Sequence, residues 1–416
     1  MAERVTITRL GARADGVADG ESGPIFVPYA MPGETVAVER DGGRAHLVAV
    51  ETPSPAREEP FCPYFGTCGG CATQHMGHDL YRTWKRDTVV ETLRRARIEP
   101  PVADLVDAHG EGRRRITLHA RFPDATMRVG YMAARSHAVV EIACCPIAEP
   151  ILKERGPEIA RALARRLSSP RKPLDIQITT SGSGFDVDLR GHGPARDRER
   201  QELIAVAGEL DLARLSLHGD VLVERRPPVV TMGRAAVVPP PGAFLQATRA
   251  GEERLAGLVT EACAGTKRIA DLFAGVGPFA LRLAERAEVY AVEMDGGAVA
   301  ALSRAARSTS GLRRVTAEVR DLFRRPLLTP ELHGFDAVVI DPPRAGADAQ
   351  ARQLATSKVP LVVSVSCDAG TFARDASILI AAGYRLERVV PVDQFKHSPH
   401  VELVGVLRRE GTKKRR

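Results

Sequence analysis

Nowhere in the 416 residues do about 18 apolar positions run uninterrupted, so a conventional membrane-spanning helix is not expected. The first ten residues carry Glu3, Arg4 and Arg9 and no long apolar stretch, so no secretory leader is expected either. Cysteine is scarce: seven residues, an odd count, most of them clustered. That pattern does not suit a disulfide framework and fits metal binding or catalysis in a reducing compartment, with the cytoplasm as the expected location. Internal repeats and long low-complexity segments are absent as well.

The chain is longer than one hydrophobic core usually spans, and its 44% apolar content is ordinary for a globular protein, so two or three domains are expected. A net charge of +7 is modest overall but locally concentrated in Arg113-Arg114-Arg115, Arg324-Arg325 and Lys413-Lys414-Arg415-Arg416. Nucleic acid is therefore a candidate partner, although a solvated surface run is the expectation for the tail itself.

From Val5 to about Thr52, short β-branched segments alternate with turn residues, which predicts a small β-barrel over residues 1–55. Pro53 to Pro60 reads as a linker. Residues 56–235 read as a mixed α+β domain, with a helix over 79–98 that could pack on the domain that follows, a strand at Ile116–Ala120 and a helix around Ile151–Leu167. Residues 236–416 change to a strand–helix rhythm, the signature of an α/β domain with a parallel sheet.

Three apolar runs in that last region end in residues with chemistry. Ile269–Phe273 leads into Ala274-Gly275-Val276-Gly277, Phe335–Ile340 into Asp341-Pro342-Pro343-Arg344, and Pro360–Val365 into Ser366-Cys367. Ligands of open α/β sheets bind outside the carboxyl ends of strands, so Gly275, Asp341 and Cys367 are expected to face one crevice. Gly275 and Gly277 allow a sharp turn before a helix expected at Phe279–Arg286. Glu293 ends the next strand, where an acid can hold both hydroxyls of a ribose. No third glycine follows to cradle a pyrophosphate, which favours S-adenosylmethionine over a dinucleotide. Asp321 suits either the adenine amine or a helix N-cap.

The cysteines Cys62-x5-Cys68-x2-Cys71, with Cys145 as the better candidate of the Cys144-Cys145 pair, suit an iron–sulfur cluster. A structural zinc could use the same ligands, but the first gap is long for a zinc knuckle. Cys263, in an apolar helix, reads as a buried structural thiol.

Several segments together resemble the 5-methyluridine RNA methyltransferases that carry an amino-terminal TRAM domain and a [4Fe-4S] cluster, typified by bacterial 23S rRNA uracil-C5 enzymes. They are Phe244-Leu245-Gln246-Ala247-Thr248, residues 271–279, Asp341–Gly346, Val365–Asp375 and His400-Val401-Glu402. The resemblance covers nearly the whole chain. It implies a TRAM, OB-like barrel, a central iron–sulfur domain and a C-terminal class I, Rossmann-like methyltransferase domain.

The resemblance further implies that Cys367 adds to C6 of uracil and that Glu402 removes the C5 proton. Asp341 would contact the uracil edge or orient the thiol. Gln246, Phe273, Gly275, Gly277, Glu293, Asp321 and Asp341 would surround the cofactor, and Cys62, Cys68, Cys71 and Cys145 would hold the cluster. A thiol ahead of a helix beginning near Asp368 is expected to favour its thiolate. His400 reads as a structural imidazole. The implied partner is RNA, 23S rRNA first and tRNA as the alternative, with the protein acting as a monomer and no protein partner; a noncatalytic RNA-binding assembly factor is the alternative of another class.

The chain departs from the family pattern where Pro278, Thr248 and Asp368 stand in place of asparagine, and where Phe395-Lys396-His397-Ser398 replaces Phe-Pro-x-Thr. Altered cofactor contacts are expected at 278 and 248.

Overall fold

Alternating apolar residues in the first fifty positions put Ile7, Ala18, Ile25, Val27, Val36 and Val38 on the inner face of a six-stranded sheet. The sheet curls because residues 3–10 form a bent edge. Glu3–Thr6 pairs with Thr35–Val38, whereas Arg9–Leu10 pairs with Gly16–Val17. The computed structural model describes residues 2–42, 44–123, 126–167 and 172–409. The basic run Lys413–Arg416 lies outside the described residues.

A second sheet of seven strands follows the order Val139–Glu141, Arg128–Met132, Arg115–Arg121, Leu174–Ser181, Gly184–Arg190, Arg214–Leu217, Asp220–Glu224. The helices Arg155–Ala164 and Asp197–Glu209 pack on it, burying Leu118, Ile159, Leu163, Ile176, Val187, Leu203 and Leu215 in one core. The helix expected at 151–167 is divided into Pro150–Lys153 and Arg155–Ala164. Pro157 has no backbone N–H to donate, so it sits in the first turn of the second piece.

The third sheet has eight strands in the order Val315–Val319, Glu288–Glu293, Arg268–Leu272, Ala337–Ile340, Leu361–Ser366, Glu402–Arg409, Tyr384–Asp393, Val106–Asp107. The first five run parallel, as the strand–helix rhythm predicts. The end of the sheet departs from an all-parallel expectation, because Glu402–Arg409 is antiparallel to both of its neighbours. Only antiparallel strands can be joined by so short a connection as residues 394–401.

Two elements that precede the second sheet in sequence belong to this third body. The helix His78–Arg95 buries Val89 and Leu93 in the same core as Phe372, Ala373 and Ala376 of the helix Ala369–Ala381. Val106–Asp107 extends the sheet edge beside Val392–Asp393. The same helix reaches the first sheet, where the Trp84 indole donates to the Gly11 carbonyl at 3.0 Å.

The basic triplet 113–115 is not the solvated nucleic-acid face that its charge suggests. Arg114 is buried, donates from Nη2 to Glu252 Oε2 at 2.6 Å and from Nε to the Gln246 carbonyl at 2.9 Å. Arg115 is half-buried over the Phe244 ring and donates to the Ala243 carbonyl. The triplet therefore joins the second sheet to the third body. Arg282 donates to the other Glu252 oxygen at 2.9 Å, so one buried carboxylate balances two buried guanidinium groups. Arg282 also pairs with Glu253, so replacing Glu252 by Leu strands Arg114 in particular, and we expect a loss of about 3 kcal/mol or more in urea unfolding, against under about 1 kcal/mol for the exposed pair partner Glu91→Ala.

Candidate active site

The turn after Arg268–Leu272 builds one half of the site. Phe273 (φ +62°), Gly275 (φ +53°) and Gly277 (φ +95°) all lie in the left-handed region, which strains Phe273 and suits the glycines. Gly277 also needs its missing side chain, since a Cβ there would lie 2.3 Å from Leu302 Cδ1. The helix expected at 279–286 is only Ala280–Leu283. Glu293, at the end of the next strand, accepts the Gly275 N–H at 3.0 Å and the Met294 and Asp295 N–H groups at 2.7 and 2.9 Å. Its carboxylate is thus held rigidly at the rim of the turn.

A cavity of about 560 Å³ runs along the carboxyl ends of the parallel strands. One end is lined by Phe273, Gly275, Pro278, Glu293, Asp321 and Phe323, with the Phe273 and Phe323 rings 5.4 Å apart. The other end is lined by Asp341, Pro343, Arg344, Cys367, His400 and Glu402, and Phe244 and Gln246 line the cavity as well. This size and mixed lining suit a small-molecule cofactor together with a planar substrate group. Asp321 faces the cavity and also accepts the Phe323 N–H at 2.9 Å, capping a turn rather than a helix.

The expected residues therefore share one crevice, with one exception: Gly277 packs behind it and does not line it. Glu402 enters from the start of the antiparallel strand, at the sheet end where Asp341 and Cys367 leave parallel ones.

Burial sets the ionisation of this end. It pushes Asp341 up to about 7. Burial, with Asp341 alongside, pushes Glu402 up to about 8, against the opposing pull of the Gln394 amide and Arg344. Burial and the two carboxylates push the Cys367 thiol up to about 11, which overturns the expectation of a helix-stabilised thiolate. The physical reason is that Asp368 caps that helix itself, accepting the Thr371 N–H at 2.9 Å, while the thiol faces carboxylates.

Two departures from the expected pattern are also resolved. Thr248 is an N-cap, accepting the Gly251 N–H at 2.8 Å and donating to the Ala108 carbonyl at 2.6 Å, and it does not line the cavity. Pro278 does line it. Burial, with Arg344 next, pushes His400 down to about 4, and Arg344 Nη2 lies 2.9 Å from its Nε2. A neutral imidazole thus orients the guanidinium.

Cys62, Cys68, Cys71 and Cys145 are brought together around a second cavity of about 120 Å³, with Cys144, Tyr131 and Arg113. The Gly70 N–H lies 3.4 Å from Cys68 Sγ. Among the described residues, no group of three or more His, Cys, Asp or Glu side chains that could hold a metal ion is found, so the expected cluster is not supported by the arrangement of these thiols. Cys263 is buried at the end of the helix Arg249–Ala262.

Comparison with known proteins decides the family. Residues 237–410 match the family described as tRNA (Uracil-5-)-methyltransferase. An RNA methyltransferase of Rhizobium meliloti is 46% identical over 97% of this chain and 98% of its own. The 23S rRNA (uracil(1939)-C(5))-methyltransferase RlmD of Chromohalobacter salexigens is 34% identical over 98% of this chain and 90% of its own.

The chain belongs to the RNA uracil-C5 methyltransferase family.

It is accordingly an S-adenosylmethionine-dependent enzyme acting on RNA. The crystal structure of the tRNA (uracil-54, C5)-methyltransferase of Pyrococcus abyssi with S-adenosyl-L-homocysteine shares the fold of this uracil-C5 methyltransferase. It superposes with a TM-score of 0.76 over 97% of this chain and 99% of that one, at 24% identity. Among the described residues no helix is long and apolar enough to cross a membrane.

Gln394, Phe323, Lys85 and Tyr81 of the methyltransferase escape a reading of motifs. Phe323 could have been found from its nearness to Asp321. Lys85 and Tyr81 lie on a helix whose sequence gives no sign that it meets Asp393. The raised Cys367 thiol makes a direct prediction. Below pH 9 its thiolate fraction is roughly a hundredfold smaller than that of an exposed cysteine, and alkylation mapped by peptide mass spectrometry should be slowed in that proportion.

Proposed function

We propose that this enzyme methylates C5 of a uridine in 23S rRNA through a covalent adduct between Cys367 Sγ and uracil C6. The observation that carries the proposal is the single cavity joining Cys367, Asp341 and Glu402 to the turn bearing Gly275 and Glu293. The rRNA assignment is supported by the likeness to the Chromohalobacter enzyme over nearly the full chain.

Uracil C5 is too weak a nucleophile until C6 carries a thiolate. In the proposed sequence Asp341 takes the Cys367 proton, the sulfur adds to C6, and the electron pair moves onto the C4 carbonyl as an enolate. S-adenosylmethionine supplies a methyl group on a sulfonium. C5 attacks that carbon and the thioether leaves. Glu402 then removes the C5 proton, the C5–C6 double bond reforms, and the Cys367 thiolate is expelled. Glu293 would hold the ribose, the paired Phe273 and Phe323 rings would offer the adenine an apolar wall, and Asp321 would meet its amine, with Gly275 and Gln246 lining the cavity and Gly277 shaping the turn behind it.

In the same proposal residues 1–55 are a TRAM barrel and residues 56–235, apart from His78–Arg95 and Val106–Asp107, an RNA-contacting domain, in front of the catalytic domain 236–416; together they grip the RNA while the target base is extruded. Cys62, Cys68, Cys71 and Cys145 hold a [4Fe-4S] cluster. This reading rests on the spacing of these cysteines in the sequence and on the one cavity they line. The cluster would brace this region, and the enzyme acts as a monomer without a protein partner.

Nucleoside mass spectrometry of 23S rRNA and tRNA fragments, after incubation with the protein and S-adenosylmethionine, tests the substrate. 5-Methyluridine in rRNA alone is expected, and methylation only of tRNA would overturn the assignment. Cys367→Ala should bind RNA and cofactor normally and lose on the order of 10³-fold or more in single-turnover rate. Glu402 acts as a base only when ionised, so the rate should climb as pH rises through about 8. The rate at pH 6 should be roughly a hundredfold below that at pH 9, and a flat profile would count against this base.

A further inference from the structure

Glu402 is buried, so its carboxylate depends on the donors that neighbouring chain supplies. The side-chain donor that reaches it is Gln394 Nε2, 3.2 Å from Oε1. Gln394 directly follows the strand Tyr384–Asp393 and is fully buried itself. Its amide has one orientation available. Oε1 accepts the Ala247 N–H at 2.8 Å, so Nε2 must face the other way, where it donates to Gln246 Oε1 at 2.6 Å and to Glu402. Those two bonds use both amide hydrogens.

Gln246 is oriented in turn, with its Nε2 donating toward Asp341 Oδ2 at 3.3 Å. One hydrogen-bonded line therefore runs from Asp341 through Gln246 and Gln394 to Glu402. Packing holds its centre in place. A methyl group on Gly251 would lie 2.6 Å from Gln394 Oε1 and 2.7 Å from Gln394 Cβ. The preceding residue, Asp393, accepts Lys85 Nζ and the Tyr81 hydroxyl, each at 2.5 Å, and Lys85 also donates to the Phe395 and His400 carbonyls.

We propose that Gln394 is a positioning residue for the methyl-transfer reaction: its amide engages Glu402 Oε1 and leaves Oε2 as the oxygen that takes the uracil C5 proton. This rests on the reading of Glu402 as the base. The charged and titratable groups around Glu402 are Asp341 and Arg344 beyond Ala337–Ile340, Cys367 after Leu361–Ser366, and His400 on its own connection, with the Lys85–Asp393 pair behind Gln394. Arg344 and the Gln394 amide favour the carboxylate, whereas burial and Asp341 oppose it. Removing the amide takes away the side-chain hydrogen bond and leaves only the charge of Arg344 in favour of the carboxylate.

The test is Gln394→Met, which keeps the length and loses the donor, compared with wild type and Glu402→Gln in single-turnover reactions with RNA and S-adenosylmethionine. The denaturant-resistant protein–RNA adduct is followed over time. Gln394→Met should form the adduct at the wild-type rate, with RNA affinity within about twofold. It should resolve the adduct with a pH midpoint shifted upward by roughly one unit, the size of a lost hydrogen bond to a charged group.

Glu402→Gln should accumulate the adduct; if it turns over normally, the base reading fails and this proposal with it. If Glu402→Gln traps the adduct while Gln394→Met keeps the wild-type midpoint, the assignment of Gln394 alone is overturned. A variant that loses melting temperature, RNA affinity and rate together at an unchanged midpoint would likewise mark a merely structural residue. Should Gln394→Met fail to fold, Gln394→Asn, whose shorter arm withdraws the amide, is scored on the same midpoint.

Discussion

The connection between Asp393 and Glu402 is too short to carry a crossover helix, and the catalytic end of the molecule depends on that constraint. The chain must return antiparallel, so Glu402–Arg409 begins at the edge of the sheet where the parallel strands finish. A carboxylate at the start of one strand thereby meets a carboxylate and a thiol at the ends of two others. The connection is pinned from outside the catalytic segment by Lys85 and Tyr81. Such a buried pair is a poor source of net stability but a strict geometric tie, because neither charge can be left unpaired.

Burial is the second organising influence. Asp341, Glu402 and Cys367 are all driven toward their neutral forms because burial penalises their charged forms, with neighbouring carboxylates adding to the effect on Glu402 and Cys367. Two carboxyl groups are left near neutrality, where small changes of surroundings alter which of them holds a proton, the usual arrangement for paired acid–base work. The thiol, in contrast, is not activated in advance. A line of amides runs between the two carboxyl groups, from Asp341 through Gln246 and Gln394 to Glu402.

Much of the catalytic sheet was legible because parallel strands buried on both faces read as continuous apolar runs, as in Leu361–Ser366 and Ala337–Ile340. The placement of Gly275, Asp341 and Cys367 in one crevice followed from the rule that strand ends carry the ligands. What escaped depended on contacts between distant segments. Arg114 looked like part of a basic surface, and its burial against Glu252 is decided by residues more than a hundred positions away. Thr248 looked like a cofactor contact and is a helix cap bonded to Ala108. The helix His78–Arg95 packs on the last domain as expected, but nothing in its charged face pointed to Asp393 as the residue that Lys85 and Tyr81 meet.

Local pattern therefore determined the strands, the glycine turn and the identity of the chemical residues, since periodicity, positive φ and side-chain chemistry are properties of short stretches. The protonation states, the entry of Glu402 from an opposing strand and the orientation of Gln246 and Gln394 were decided by the tertiary structure alone. Each of these is fixed by burial and by hydrogen bonds between segments far apart in the chain, and neither exists until the sheet, the helix His78–Arg95 and the 394–401 connection have packed together.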